Sequence, residues 1–232
     1  AALAIANRRL KSSRTTAERF TSKIMVARMM YVVGHEQEAL DDLRIISKRI
    51  RQKREKLSKK EYGAAIGETH FLLGLEAKNK FDDFHLTDRG GNIRKNIAHK
   101  SRYFDSLATE MDKSAAGAPP DWAPRARYIL AISAENLADE IASATIKNGN
   151  GADRTTVKAY RVSIERLQKI AKKYHSTNVL ISRKNPGQYR NNKWTNRSSM
   201  RLGGTDKSGH KNNFRDELPT ALGTDMPSQW SL

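Results

Sequence analysis

The 232-residue sequence has no cysteine, which removes disulfides, cysteine–zinc sites, iron–sulfur clusters and thiol nucleophiles together. Compartment stays open, because a thiol-free chain suits the cytosol and the periplasm equally. Long apolar runs are missing too: none approaches the roughly 20 residues a helix needs to span a bilayer. Strand signals are absent, since apolar and polar residues do not alternate and β-branched residues do not cluster between turns. Proline is scarce, and three of the six fall between Ala118 and Pro124, marking a loop there. The chain starts AALAIA rather than with methionine. That suits either a position beside a processed signal or a trimmed start. RRLKSSRTTAERF, Arg- and Ser-rich with one acid, also suits an organelle-targeting segment.

What is abundant is positive charge. The formal net charge is +18, with 29% charged and 38% hydrophobic residues. That composition is polar for a globular chain but apolar enough for a core. The charge favours polyanionic partners without choosing among nucleic acid, anionic lipid and acidic protein.

Spacings of three and four carry helices along most of the chain. Phe20, Ile24, Ala27, Met30 and Tyr31 form one stripe, broken at Gly34; Ala39, Leu40, Leu43, Ile46 and Ile50 form the next. Acids open that second helix and cations close it, as the macrodipole favours. Tyr62 to Leu73 predicts a helix ending near Gly74 or soon after. Ile93 to Met111, Arg125 to Ile146 and Thr155 to Tyr174 predict three more, separated by Ser114–Pro124 and Lys147–Asp153. After about Leu180 the periodicity is lost.

The hairpins repeat. Ala27, Met30, Gly34, Ala39 and Leu43 place small residues where two helices cross closely and large ones where the next hairpin packs. Gly67, His70 and Gly74 match the first three positions, although Asn79 falls where the small Ala39 stood. Ala126 through Ala138 to Tyr160 and Leu167 has the same texture with a longer turn. This pattern resembles a tetratricopeptide repeat over roughly residues 13–176. WAPRARYILAISAENLADEI, followed by a helix ending KKYHS, looks like the periplasmic repeat proteins of bacterial envelope machines. The resemblance implies a scaffold that binds other proteins and performs no catalysis. The lipidated N-terminal cysteine of such proteins has no counterpart here. An unrelated helical bundle is the alternative.

Candidate chemistry is thin. His35-Glu36 opens like a zinc-protease helix but lacks the second histidine four residues on. GGTDKSG (Gly203–Gly209) has a lysine and serine of phosphate-loop type, with no glycine before Lys207 and no leading strand. Asp82, Asp83 and His85, with His70 and His99, are metal-capable residue types, yet buried Phe81 and Phe84 with solvated acids explain FDDFH better. Adjacent Asp139 and Glu140 point in different directions on a helix. Asn196-Arg197-Ser198 matches a glycosylation triplet that is common by chance. No catalytic residue, cofactor or metal ligand is assigned.

Two basic stretches remain. Lys48 to Lys60 holds eight cations against Glu55, and reads as a solvated helix extension or a docking surface. Residues 183–232 hold nine cations and four acids with widely spaced aromatics. Stacking on RNA and anchoring on protein both fit that pattern. Ordering such a stretch costs roughly 1–2 kcal/mol per residue, so its contacts must come from other chains or from the outer face of its own helices.

The expected architecture is therefore all-α. A basic segment (1–14) precedes antiparallel hairpins stacked as a short solenoid (15–180), and an extended basic tail (181–232) follows. Ala27, Gly34, Ala39, Leu43, Gly67, Gly74 and Ala126 are assigned to repeat packing. Tyr189, Arg190, Lys193, Trp194, Arg197, Arg201, Phe214 and Trp230 are assigned to partner contact. The expected role is a structural subunit of a large multiprotein assembly in a bacterial envelope. An RNA-binding protein of a ribonucleoprotein, in a mitochondrial matrix or cytoplasm, is the alternative.

Overall fold

A computed structural model of the chain describes residues 2–86, 92–117, 122–147, 154–189 and 192–203. All of its regular structure is helical: α1 (Ala2–Ser12), α2 (Thr16–Val32), α3 (Glu36–Gln52), α4 (Lys59–Asp82), α5 (Ile93–Gly117), α6 (Trp122–Lys147), α7 (Arg154–Lys184), α8 (Pro186–Tyr189) and α9 (Lys193–Arg201). No helix among the described residues is long and apolar enough to cross a membrane.

Local chemistry sets the boundaries. Thr15 and Glu18 form a reciprocal capping box at the start of α2, and Ser58 and Glu61 do the same for α4. Gly34 ends α2 at φ 95°, a left-handed conformation that glycine adopts without steric cost. The N–H groups of Gly34 and His35 donate to Tyr31 and Met30, so the last carbonyls of the helix are satisfied.

Consecutive helices pack throughout. In addition α2 touches α4, α4 touches α6, and α6 touches α9. Helices α4 and α6 each serve several neighbours, and their sequences are apolar around most of the cylinder. The core accordingly runs as linked clusters rather than one centre. Phe20, Ile24, Leu43 and Ile50 pack α2 and α3 on Ile66 and Leu72 of α4. Phe71 of α4 faces the other way, with Leu107, Met111, Trp122 and Ile129 of α5 and α6. Phe81, Phe104, Leu137, Ile141, Tyr160 and Leu167 extend the core to α7.

The helix end expected near Gly74 or soon after lies further on, because α4 runs to Asp82. Gly74 serves proximity rather than turning. A Cβ there would lie 2.8 Å from Met111 Cε, so the fully buried Met111 side chain of α5 fills the space that glycine leaves. Gly67 lies two turns earlier on the same face of α4, where its carbonyl accepts from Ser114 Oγ of α5 at 2.8 Å. Ala27, Ala39, Leu43 and Ala126 are all buried at helix contacts. The basic run Lys48–Lys60 is not a helix extension: α3 stops at Gln52, a 3-10 turn spans Arg54–Lys56, and α4 begins at Lys59.

The termini also differ from expectation. Residues 2–12 form α1, packed on α2 through buried Ala6. Residue 180 is no boundary, because α7 continues to Lys184 and α8 and α9 fold back onto it. The rest of the expected extended tail, from 204 onward, lies outside the described residues.

Candidate functional site

Three polar constellations stand out. The first joins α3, α4 and α5 around buried His70. Its Nδ1 lies 2.6 Å from Glu110 Oε2, and its Nε2 lies 3.1 Å from Ser47 Oγ and 2.9 Å from Arg51 Nη2. A guanidinium can only donate, so Nε2 accepts and Nδ1–H donates to the carboxylate. Serine, histidine and glutamate thus stand in the order of a hydrolytic triad. Arg51, however, already occupies the lone pair a nucleophilic serine needs. Ser47 itself is buried between helices, where no substrate reaches it. The network holds three helices in register.

It also makes a pH prediction. Burial pushes the Glu110 carboxyl up, but hydrogen bonds from His70 and Lys113 and the Lys113 charge more than offset this, lowering it from 4.5 to about 2. A folded value below the unfolded one adds stability that is fully present above pH 4.5 and lost as pH falls toward 2. Partial exposure screens the effect to about 1–2 kcal/mol. Glu110→Gln should remove that part of the acid limb, read as the slope of urea-unfolding stability against pH. An unchanged slope would show that Glu110 is not the group titrating there.

The second constellation pairs buried Lys100 of α5 with Glu140 of α6. Lys100 Nζ donates to Glu140 Oε1 at 2.5 Å, and the backbone N–H of Leu86 donates to Oε2 at 3.1 Å. Asp139, next in sequence, turns away to a different neighbourhood.

That neighbourhood is the third constellation, a cleft of about 500 Å³ between α6, α7 and α9. Glu135 and Asp139 line it from α6, Gln168, Lys172 and His175 from α7, and Arg201 and Leu202 from the end of α9, over Ala138 and Ala171. Arg201 Nη1 is 3.6 Å from Glu135 Oε2, and His175 Nε2 is 3.3 Å from Glu135 Oε1. The His175 side chain is only 2% exposed, yet neither ring nitrogen has a hydrogen-bond partner among the described residues. Burial and the Glu135 charge push the Asp139 carboxyl up, and Arg201 opposes them.

Two residues assigned to partner contact are placed elsewhere. Trp194 is 5% exposed and packs on Tyr128 and Ile132 of α6, with Arg125, Lys193 and Arg197 around its ring. Tyr189 is buried as well. Both rings are spent on their own chain, because α8 folds onto α7 and α9 lands on α6 and α7. Arg201 enters the cleft, while Arg190, Phe214 and Trp230 lie outside the described residues. Of the metal-capable types, His70 is absorbed in its network, His99 stacks with Phe84 and Tyr103, and His85 is exposed. No group of three His, Asp or Glu among the described residues is placed to hold a metal.

Charge gathers on α7. Its 31 residues carry nine cations and one acid, Glu165. Lys158, Arg161, Arg166, Lys169, Lys172, Lys173, Arg183 and Lys184 are all exposed. At 1.5 Å per residue this is a basic rod about 46 Å long.

Comparisons with known proteins found no match: no family, no curated protein and no solved structure is significantly similar to the chain.

Proposed function

We propose that the chain is a non-enzymatic scaffold subunit, a short solenoid of helical hairpins that binds other subunits of a large protein assembly. The observation that carries this reading is the stacking of alternate helices, α2 on α4, α4 on α6 and α6 on α9. Pairing α2/α3, α4/α5 and α6/α7 as hairpins makes each first helix pack on the first helix of the next, with α9 as a cap. That is the nearest-neighbour logic of repeat proteins. The exposed cations of α7 then favour acidic faces on the neighbouring subunits. The resemblance to periplasmic repeat proteins supports a bacterial cell envelope as the setting of such an assembly, as in a secretion system, pilus or flagellar motor.

RNA binding is the second reading, and the same helix favours it. Nine cations on one rod suit a phosphate backbone as well as an acidic protein. Salt separates the two. If α7 neutralises about six phosphates, affinity should fall roughly a thousandfold between 50 and 200 mM salt, linearly in logarithms. Native-cell crosslinking with mass spectrometry should instead recover protein partners on Lys158, Lys169, Lys172 and Lys173. Charge reversal at Arg161 and Arg166, which leaves every crosslinked lysine in place, should abolish those crosslinks while leaving helicity unchanged by circular dichroism. Crosslinks that survive the reversal would show that α7 is not the attachment surface.

A further inference from the structure

We propose that the end of the stack where α1 meets α2 and α3 meets α4 is a docking surface for an RNA duplex, held through its phosphate backbone without readout of its bases. The inference carries the RNA reading to a different surface and does not depend on what α7 binds.

Two basic stretches that lie apart in the sequence meet there. Residues 11–19 and 48–61 hold eleven cations and three acids. Helices α2 and α3 are each 17 residues long and joined by a three-residue turn, so the start of α2 lies level with the end of α3. Contacts of Arg28 with Glu68 and of Tyr31 with Asn79 run α2 and α4 in the same direction, which brings the start of α4 to that end too. The acids that open α3, Glu36, Glu38, Asp41 and Asp42, lie at the opposite end.

The fold leaves this end charged. On α2, α4 and α5, acids take up Arg28, Lys80 and Lys113. Among the described residues no ion pair reaches Lys11, Arg19, Lys53, Lys56, Lys59 or Lys60, all of them exposed. Two of the three acids, Glu18 and Glu61, accept from the backbone N–H groups of Thr15 and Ser58 in the capping boxes. Holding so many like charges together costs stability, which a polyanion restores. The charges are also held in place. The Ser13 and Ser22 hydroxyls share a hydrogen bond of 3.0 Å at the α1–α2 joint. In the α3–α4 connection Leu57 packs on the core, and the Arg54 guanidinium lies 5.2 Å from the centre of the Tyr62 ring. A surface fixed in advance pays less ordering entropy on binding.

The kind of polyanion follows from what the surface lacks. Within these two stretches no large apolar residue is exposed, whereas a protein interface centres on apolar or aromatic anchors and is poor in lysine. The stretches contain no aromatic residue to stack on unpaired bases. The end is built of helix termini and one connection, rather than a projecting helix that could enter the major groove of B-DNA. Cations on a blunt surface suit the shallow groove and flanking phosphates of A-form RNA.

The test measures binding of the full chain to a fluorescent RNA duplex of about 16 base pairs by anisotropy. With about six phosphate contacts, affinity should fall roughly a thousandfold between about 50 and 200 mM salt. Lys56→Gln with Lys59→Gln, and separately Lys11→Gln with Arg19→Gln, should each flatten the logarithmic salt slope by about two, one per cation. Both should weaken binding equally for duplexes of different sequence. Urea midpoints equal to the parent's show that each variant keeps its fold. The DNA duplex and the single strand should bind more weakly than the RNA duplex. No binding of the RNA duplex at low salt would remove the site. An unchanged slope in Lys11→Gln with Arg19→Gln would show that the two stretches form no common surface. Tighter binding of DNA or of the single strand, or binding to phosphatidylserine vesicles with none to RNA, would overturn the choice of partner. Loss of RNA binding in Arg161→Glu with Arg166→Glu, with both glutamine variants unaffected, would overturn this surface and move the RNA reading to α7. RNA binding that depends on both stretches, beside protein crosslinks on α7, would keep this surface and the scaffold together.

Discussion

Glu140→Ala is expected to lower stability by about 3–5 kcal/mol, the cost of breaking a buried ion pair from one side. Lys100 is only 1% exposed, and its ammonium lies 4.5 Å from the centre of the Phe81 ring. Removing the carboxylate strands that charge where water does not reach, and an aromatic face replaces only part of a counter-ion. The same substitution orphans the N–H of Leu86, which fixes the chain as it leaves α4. Glu140→Gln should cost less, since an amide oxygen still accepts from Leu86. The double variant Lys100→Met, Glu140→Gln should return to within about 1 kcal/mol of the parent, because both charges leave together. Urea midpoints at constant m-value measure all three. In thermal unfolding a 4 kcal/mol loss corresponds to roughly 8–16 °C for a chain of this size. If the alanine variant stays within 1 kcal/mol of the parent, Lys100 has reached water and the pair contributes nothing.

The pair also illustrates what a linear reading of the chain sees. Helical stripes such as Phe20–Ile24–Ala27 and Leu40–Leu43–Ile46–Ile50 are legible because each buries one face. Helix α4 is harder: buried on several sides, it has little periodicity, and its glycines resemble stops. Its start was nonetheless written in Ser58 and Glu61, a capping box preceding an apolar run. Lys100 was overlooked although it stands on the stripe of Ile93, Ile97, Phe104 and Leu107, because a lone lysine at a stripe position normally carries its head group out to water.

The cleft could not be read at all. Glu135, His175 and Arg201 share no motif spacing; the packing of α7 on α6 brings the first two together, and α9 adds Arg201. Nor was α9 itself legible. KWTNRSSMR offers just Trp194 and Met200 as apolar residues, and they do not make a stripe. The helix docks through small polar groups instead. Ser198 and Thr195 are buried, and Asn178 of α7 donates both to Ser198 Oγ at 3.1 Å and to the Pro124 carbonyl at 2.9 Å. Hydrophobic periodicity is blind to contacts of that kind. Asn192, whose side chain accepts from the Trp194 and Thr195 N–H groups, was the one available sign of a helix start.

Trp194→Ala therefore tests what the last described helix is for. In a partner-anchoring tail, removing the indole would leave the isolated chain's stability unchanged and abolish association. In an internal cap, the cost appears in the isolated chain. The ring is buried against Tyr128, with ring centres 5.4 Å apart, and against Ile132, and the Arg125 guanidinium lies 5.3 Å from its centre. Losing it should cost about 3–5 kcal/mol, the usual range for a buried tryptophan cut back to alanine. In a stack where each hairpin touches only its neighbours, the damage should stay local. Amide exchange should quicken along α9 and the facing turns of α6 and α7, while α2 and α3 keep their protection. The cleft should open in step, because Arg201 reaches Glu135 only while α9 is seated. Unchanged exchange at α6 in the isolated variant would show that α9 contributes no cap, and that Trp194 is available to another chain after all.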